Sequence, residues 1–203
     1  MIRCNVTVCG AVGRVASQRM SKEGKPFVTF TVNVVVPAKN GIDKTIEVSV
    51  LKDGEMTDVG NIVVGSRIEV AGTLVPKKRG ESLYFNMNAT GINADTTATN
   101  DSIVGQMEFR GKVGKNIDEK QSKKVEPYQV FSAYSAEKVQ DGFEYIWVRF
   151  LRFGKEREAW LQPGCRIVAK GAMELSVYND RISFSCKAEE LGEYVSQPYN
   201  PNA

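Results

Sequence analysis

The chain has no histidine among its 203 residues. That absence removes the commonest general base and every Ser–His or Cys–His dyad. Cysteine is scarce: Cys4, Cys9, Cys165 and Cys186 are the four present, and no two form a CxxC pair. A zinc site needs more thiolates at closer spacing. Cys9 and Cys186 fall in strand-like runs, where a reduced thiol packs as a small apolar side chain. No stretch approaches the roughly 18 apolar residues of a membrane span, and Met1-Ile2-Arg3-Cys4-Asn5 lacks a signal peptide's apolar core. There is no GxSxG, no GxxxxGK followed by Ser or Thr, and no cluster of carboxylates suited to magnesium. The expectation is a cytoplasmic protein without reaction centre, metal, cofactor, small-molecule substrate or membrane partner.

What is present is a repeat. A shift of 101 (111 − 10) lays Gly10-Ala11-Val12-Gly13-Arg14 on Gly111-Lys112-Val113-Gly114-Lys115, and Pro26-Phe27 on Pro127-Tyr128. Further on the shift is 99 (164 − 65): Gly65-Ser66-Arg67-Ile68 meets Gly164-Cys165-Arg166-Ile167, Gly72 meets Gly171, and Phe85 meets Phe184. Solenoid and propeller repeats run at roughly 20–50 residues, so a period this long means two whole domains. The small, polar, aperiodic stretch from Asn93 to Ser102 reads as a linker. The division expected is 1–93, a linker over 94–103, a second domain over 104–195 and a tail over 196–203.

Both halves predict an all-β fold. Val28, Phe30, Val32 and Val34 alternate with Phe27, Thr29, Thr31 and Asn33, the period of a half-buried strand. Ile46, Val48 and Val50 alternate in the same way, as do runs near 6–13, 67–74 and 83–87. Residues 54–62 suit a single helical turn, and Pro76-Lys77-Lys78-Arg79-Gly80 reads as a loop. The second half repeats the order at 107–116, 128–136, 144–153, 165–175 and 181–188. Glycines inside strands (Gly10, Gly72, Gly111, Gly171) fall where a small barrel bulges or coils to close. Five short strands with a turn between the third and fourth point to tandem five-stranded OB-fold Greek-key barrels, although periodicity alone leaves other small barrels open.

The stretch Trp147-Val148-Arg149-Phe150-Leu151-Arg152-Phe153-Gly154-Lys155, followed by Leu161 to Gly171, resembles the bacterial single-stranded DNA-binding protein family. Gly111 to Lys115 is similar to that family's first strand and Pro127 to Ser132 to its second. The first half resembles it more weakly, through Val8 to Arg14 and Val64 to Gly72. The resemblance places base-stacking aromatics at Trp147, Phe153 and Tyr178, and a further family aromatic falls near Val139 and is lost. In the first half the matching positions are Glu47, Asp53 and Arg79, so the stacking set is missing there. The family's acidic tail has no counterpart in Val195 to Ala203. Single-domain relatives assemble as homotetramers, which implies here a homodimer presenting four barrels.

The residues themselves point the same way. Ile146, Val148 and Phe150 suit a barrel core, which leaves Trp147, Arg149, Leu151 and Phe153 as an outward strip, joined across the sheet by Tyr128 and Tyr134. Large aromatics opposite a complete apolar face suit base stacking. Burial of Trp147 and Phe153 at an oligomer interface is the competing reading, and Trp160 reads as a barrel plug. With Phe27 in the first half, these aromatics are the candidate stacking set. Candidate phosphate contacts are Arg19, Lys22, Lys25, Lys77, Lys78 and Arg79, then Lys120, Lys123, Lys124, Arg149 and Arg181. They fall mainly in the loops that frame an OB-fold's ligand face. Net charge is only +3, so the attraction is modest and salt-sensitive. The function expected is non-enzymatic, sequence-tolerant binding of single-stranded DNA in replication, recombination or repair. The alternative is an OB-scaffold assembly or mediator protein of replication or conjugation acting through protein contacts. An accessory domain binding oligosaccharide or RNA is a more remote third.

Overall fold

A computed structural model describes residues 1–195 except 39, 61, 123–125, 141 and 155. Strand β1 (Ile2–Met20) pairs with β2 (Pro26–Val36), and β2 with β3 (Lys44–Asp53). Strand β4 (Arg67–Arg79) pairs with β5 (Ser82–Asn93), β5 runs parallel to β3, and β4 returns to β1. The ring is therefore closed, in the order 1-2-3-5-4. Residues 102–193 build the same ring from β6 (Ser102–Gln121), β7 (Pro127–Val139), β8 (Gly142–Phe153), β9 (Arg166–Tyr178) and β10 (Arg181–Glu193). Closure leaves few free strand edges. The chain is two tandem five-stranded OB-fold barrels. Among the described residues no helix is long and apolar enough to cross a membrane.

The alternation in the sequence becomes the inside and outside of each barrel. Val28, Phe30, Val32, Ile46, Val48 and Val50 are buried in the first, and Phe131, Ala133, Val148 and Phe150 in the second. A 3₁₀ turn at Met56–Asp58 leads to the buried Val59 and Ile62, which plug the first barrel, and Leu161 does the same in the second. Trp160, beside Leu161, packs partly buried against the core. The in-strand glycines mark close approach of backbones. A Cβ on Gly72 would lie 2.2 Å from the Asn88 carbonyl oxygen, and one on the equivalent Gly171 would lie 2.0 Å from that of Lys187. Burial pushes the thiols of Cys4 and Cys186 up to about 12, so both stay protonated and inert.

The barrels are joined as a pseudo-symmetric pair. Strands β1 and β6 run antiparallel in a register that places Asn5 opposite Gln106, with Cys4 opposite Met107 and Val6 opposite Gly105. Asn5 and Gln106 are repeat partners under the 101-residue shift (106 − 5), so the contact is isologous within one chain. Phe85 and its repeat partner Phe184 also meet, with ring centroids 6.1 Å apart. The buried side chains of both barrels merge into one cluster.

The strands run longer than local alternation shows. Pro76-Lys77-Lys78-Arg79, which reads as a loop, is the end of β4, and a two-residue turn at Gly80-Glu81 follows it. In the second barrel β9 and β10 are joined by Asn179 and Asp180, at φ +47° and +58°. Asn and Asp are the residues that accept such left-handed turn positions.

Candidate nucleic-acid interface

Strand β8 presents one face to the core and the other to solvent. Val148 and Phe150 are fully buried, while Phe143, Tyr145, Trp147 and Phe153 on the opposite parity are 39% to 58% exposed. Neighbouring strands hold these rings in place. Tyr134 sits directly across from Trp147 on β7, with centroids 4.9 Å apart, and makes an edge contact with Tyr145 at 5.4 Å. Tyr128 sits across from Phe153 and stacks on it at 5.2 Å and 20°. The Trp147 ring lies against Gly114, where a Cβ would come within 3.1 Å of it. The result is a row of exposed rings on hydrogen-bonded strands, in two groups, Tyr134 with Tyr145 and Trp147, and Tyr128 with Phe153, separated along β8 by Arg149 and Leu151.

Beside the row lies a cleft of 760 Å³ lined by Trp147, Arg149 and Leu151 from β8, Ser183 and Ser185 from β10, and Tyr178 from the end of β9. Tyr178 is 71% exposed. Arg149 is exposed and, among the described residues, makes no ion pair, so its charge is available to an anionic ligand. Glu174 and Asn40 also line it. At the far end of the row the Lys187 ammonium stands 5.4 Å from the centre of the Phe153 ring. No cluster of three or more His, Cys, Asp or Glu able to hold a metal occurs among the described residues.

The structure brings Trp147, Arg149 and Tyr178 together in this cleft, with Tyr134, Tyr128 and Phe153 extending the row. It places other expected residues elsewhere. Lys77 is ion-paired with Glu137 and Lys78 lies 3.9 Å from Glu144, both on the second barrel's β7–β8 hairpin. Arg181 turns toward Glu81, 3.3 Å away, and Lys120 lines a separate cleft near Tyr128. Arg19 borders a groove on the first barrel, Lys22 and Lys25 lie exposed at the β1–β2 turn, and Arg79 is exposed at its hairpin tip. Phe27 pairs with Asp53 and is half-buried. Lys123 and Lys124 lie outside the described residues.

Strand register fixes the matching positions of the first barrel. Val48 pairs with Phe85 as Val148 pairs with Phe184, so Glu47 stands where Trp147 does and Asp53 where Phe153 does. Arg79 opposes Ser82 as Tyr178 opposes Arg181. In place of an indole the first barrel has Glu47 ion-paired with Arg14 at 2.7 Å. Its groove of 380 Å³ is lined by Ser17, Thr29, Thr31, Ser49, Asn86 and Asn88, with Arg14 and Arg19 alongside.

Phe143, Tyr145 and Lys187 were reachable from sequence by extending the odd-number parity of Trp147 back along β8 and the alternation of Ser183 and Ser185 forward along β10. No protein-family model and no curated protein sequence matches the chain. Among solved structures, it is similar to the wild-type single-stranded DNA-binding protein from Thermus aquaticus, at 14% identity, with 98% of this chain and 96% of that chain covered and a TM-score of 0.48. A deletion mutant of that protein matches at 16% identity, 98% coverage of both chains and a TM-score of 0.47.

Proposed function

We propose that the protein binds single-stranded DNA with little regard to sequence, in support of replication, recombination or repair. The observation that carries this reading is the row of exposed rings from Phe143 to Phe153 beside Arg149, which makes no ion pair among the described residues. Every base has a π-face, so a row of rings accepts any sequence, and each stack contributes about 1–3 kcal/mol. Arg149 adds attraction for the phosphates. The second barrel carries the stacking, and the first supplies the frame that holds it. A dimer of chains, presenting four barrels, belongs to the same proposal.

Titration with oligo-dT at low and high salt tests it, with tryptophan fluorescence as the signal. Quenching is expected, with an affinity that falls as salt rises. A folded protein whose fluorescence and mobility are unchanged by oligo-dT overturns the reading in favour of a scaffold acting through protein contacts.

A further inference from the structure

Between Met173 and Ser183 the second barrel projects a two-stranded ribbon. Strand β9 pairs with β6 only as far as Ala172, and β10 pairs with β8 only from Phe184 onward. The backbone of the ribbon that carries Tyr178 is therefore paired within its barrel only through β9–β10, while Met173 and Val177 sink into the shared core; an isolated hairpin is marginal in water. Further anchors come from the other barrel. Ala38, on the β2–β3 connection, forms a parallel bridge with Val177. The Lys44 ammonium lies 3.0 Å from the Asp180 carboxylate and donates a hydrogen bond to the Asp180 carbonyl oxygen. Asn40, from the same connection, lines the cleft with Tyr178 and Trp147. The connection is itself braced, with the Ala38 N–H donating to the Asp43 carboxylate at 2.8 Å.

The mirror-image junction is present with its charge reversed. Glu144, the repeat partner of Lys44 under a shift of 100 (144 − 44), accepts from the Gly80 N–H at 2.9 Å and faces Lys78 at 3.9 Å. Each barrel thus seats the other's hairpin tip. The junction at Lys44 holds the tip that bears Tyr178, where the other tip carries Arg79 at the matching position.

We propose that the nucleic-acid cleft of the second barrel is a composite site, in which Ala38, Asn40 and Lys44 of the first barrel position the β9–β10 ribbon so that Tyr178 faces Trp147 and Arg149. This rests on the single-strand-binding reading above. Lys44 acts here as a positioning residue and makes no contact with the strand.

Anisotropy of labelled oligo-dT with the full chain tests the inference. Lys44→Asp is expected to weaken binding by about fivefold, the upper range for an exposed ion pair. The charge swap Lys44→Asp with Asp180→Lys is expected to restore affinity to within about twofold, and in a Tyr178→Ala background Lys44→Asp is expected to add almost nothing. Lys44→Gln should leave the salt slope unchanged, where loss of a direct phosphate contact would lower it by about 0.7. An equal loss with and without Tyr178, a lowered slope, or no loss at all overturns the proposal. Trp147→Ala separates the two ideas: binding that survives it removes the underlying reading, whereas binding lost with Trp147 but indifferent to Lys44 removes only the composite site.

Discussion

Position 47 of the first barrel and position 147 of the second occupy the same place in the same fold, and one is a carboxylate while the other is an indole. Positions 53 and 153 differ likewise, aspartate against phenylalanine, as do 79 and 178, arginine against tyrosine. The first barrel closes around a comparable set of buried valines, isoleucines and phenylalanines without any of these aromatics. The pair Arg14–Glu47 is largely exposed and contributes about 0–1 kcal/mol, so it does not replace a packing element. The barrel therefore needs no large ring at these positions. One half of the molecule is an internal control for the other: the fold does not require these exposed rings, and the proposed function gives them a ligand.

The comparison rests on the frames being alike, and the largest expected effect tests that. Gly72→Ala and Gly171→Ala would each force a methyl group into a backbone carbonyl oxygen, at 2.2 Å and 2.0 Å. Each is expected to cost several kcal/mol of stability, on the order of the worst core lesions. Because the buried residues form one cluster, either change should lower the single transition of the whole chain in a thermal melt. A large loss from one and none from the other would show that the two frames are not equivalent.

The difference in the faces comes next. Trp147→Ala should weaken oligo-dT binding by about tenfold or more, since a stacked base contributes about 1–3 kcal/mol. Glu47→Ala at the matching position should leave affinity within about twofold, and Trp160→Ala should act mainly on stability because its ring packs against the core. Equal losses of affinity from Trp147→Ala and Glu47→Ala, with both variants folded, would break the comparison.

The residues differ in how far sequence reveals them. The parity of Val148 and Phe150 against Trp147 and Phe153 is a local property, and it places the strip correctly because one face must enter the core. The same parity contains Phe143 and Tyr145, at the exposed end of β8, where alternation weakens because less of the strand covers the barrel. Lys77 and Lys78 are different. Their sequence neighbourhood of Pro76 and Gly80 reads as a loop, yet they end a strand and meet Glu137 and Glu144 about sixty residues away. Lys44 and Asp180 are farther apart still. Contacts across the pseudo-dyad leave no periodic trace, so which charges are neutralised emerges only once the barrels are placed side by side.

That placement yields the smallest and most discriminating expectation. Each cation that releases a counterion on binding a single strand adds about 0.7 to the slope of log affinity against log salt. Arg149 lines the aromatic cleft without a carboxylate partner among the described residues, so Arg149→Gln should lower the slope by about that amount. Lys77 and Lys78 are already partnered by carboxylates of the other barrel, and a phosphate would have to displace those partners. Lys77→Gln with Lys78→Gln should therefore change the slope by less than about 0.3, although the pair carries twice the charge of Arg149. The measurement is oligo-dT affinity at four or five salt concentrations for each variant. A slope that falls by about 1.4 in the double lysine variant would mean that bound DNA pulls the first barrel's hairpin free of Glu137 and Glu144, and the strand's path would then run over both barrels rather than along the second alone.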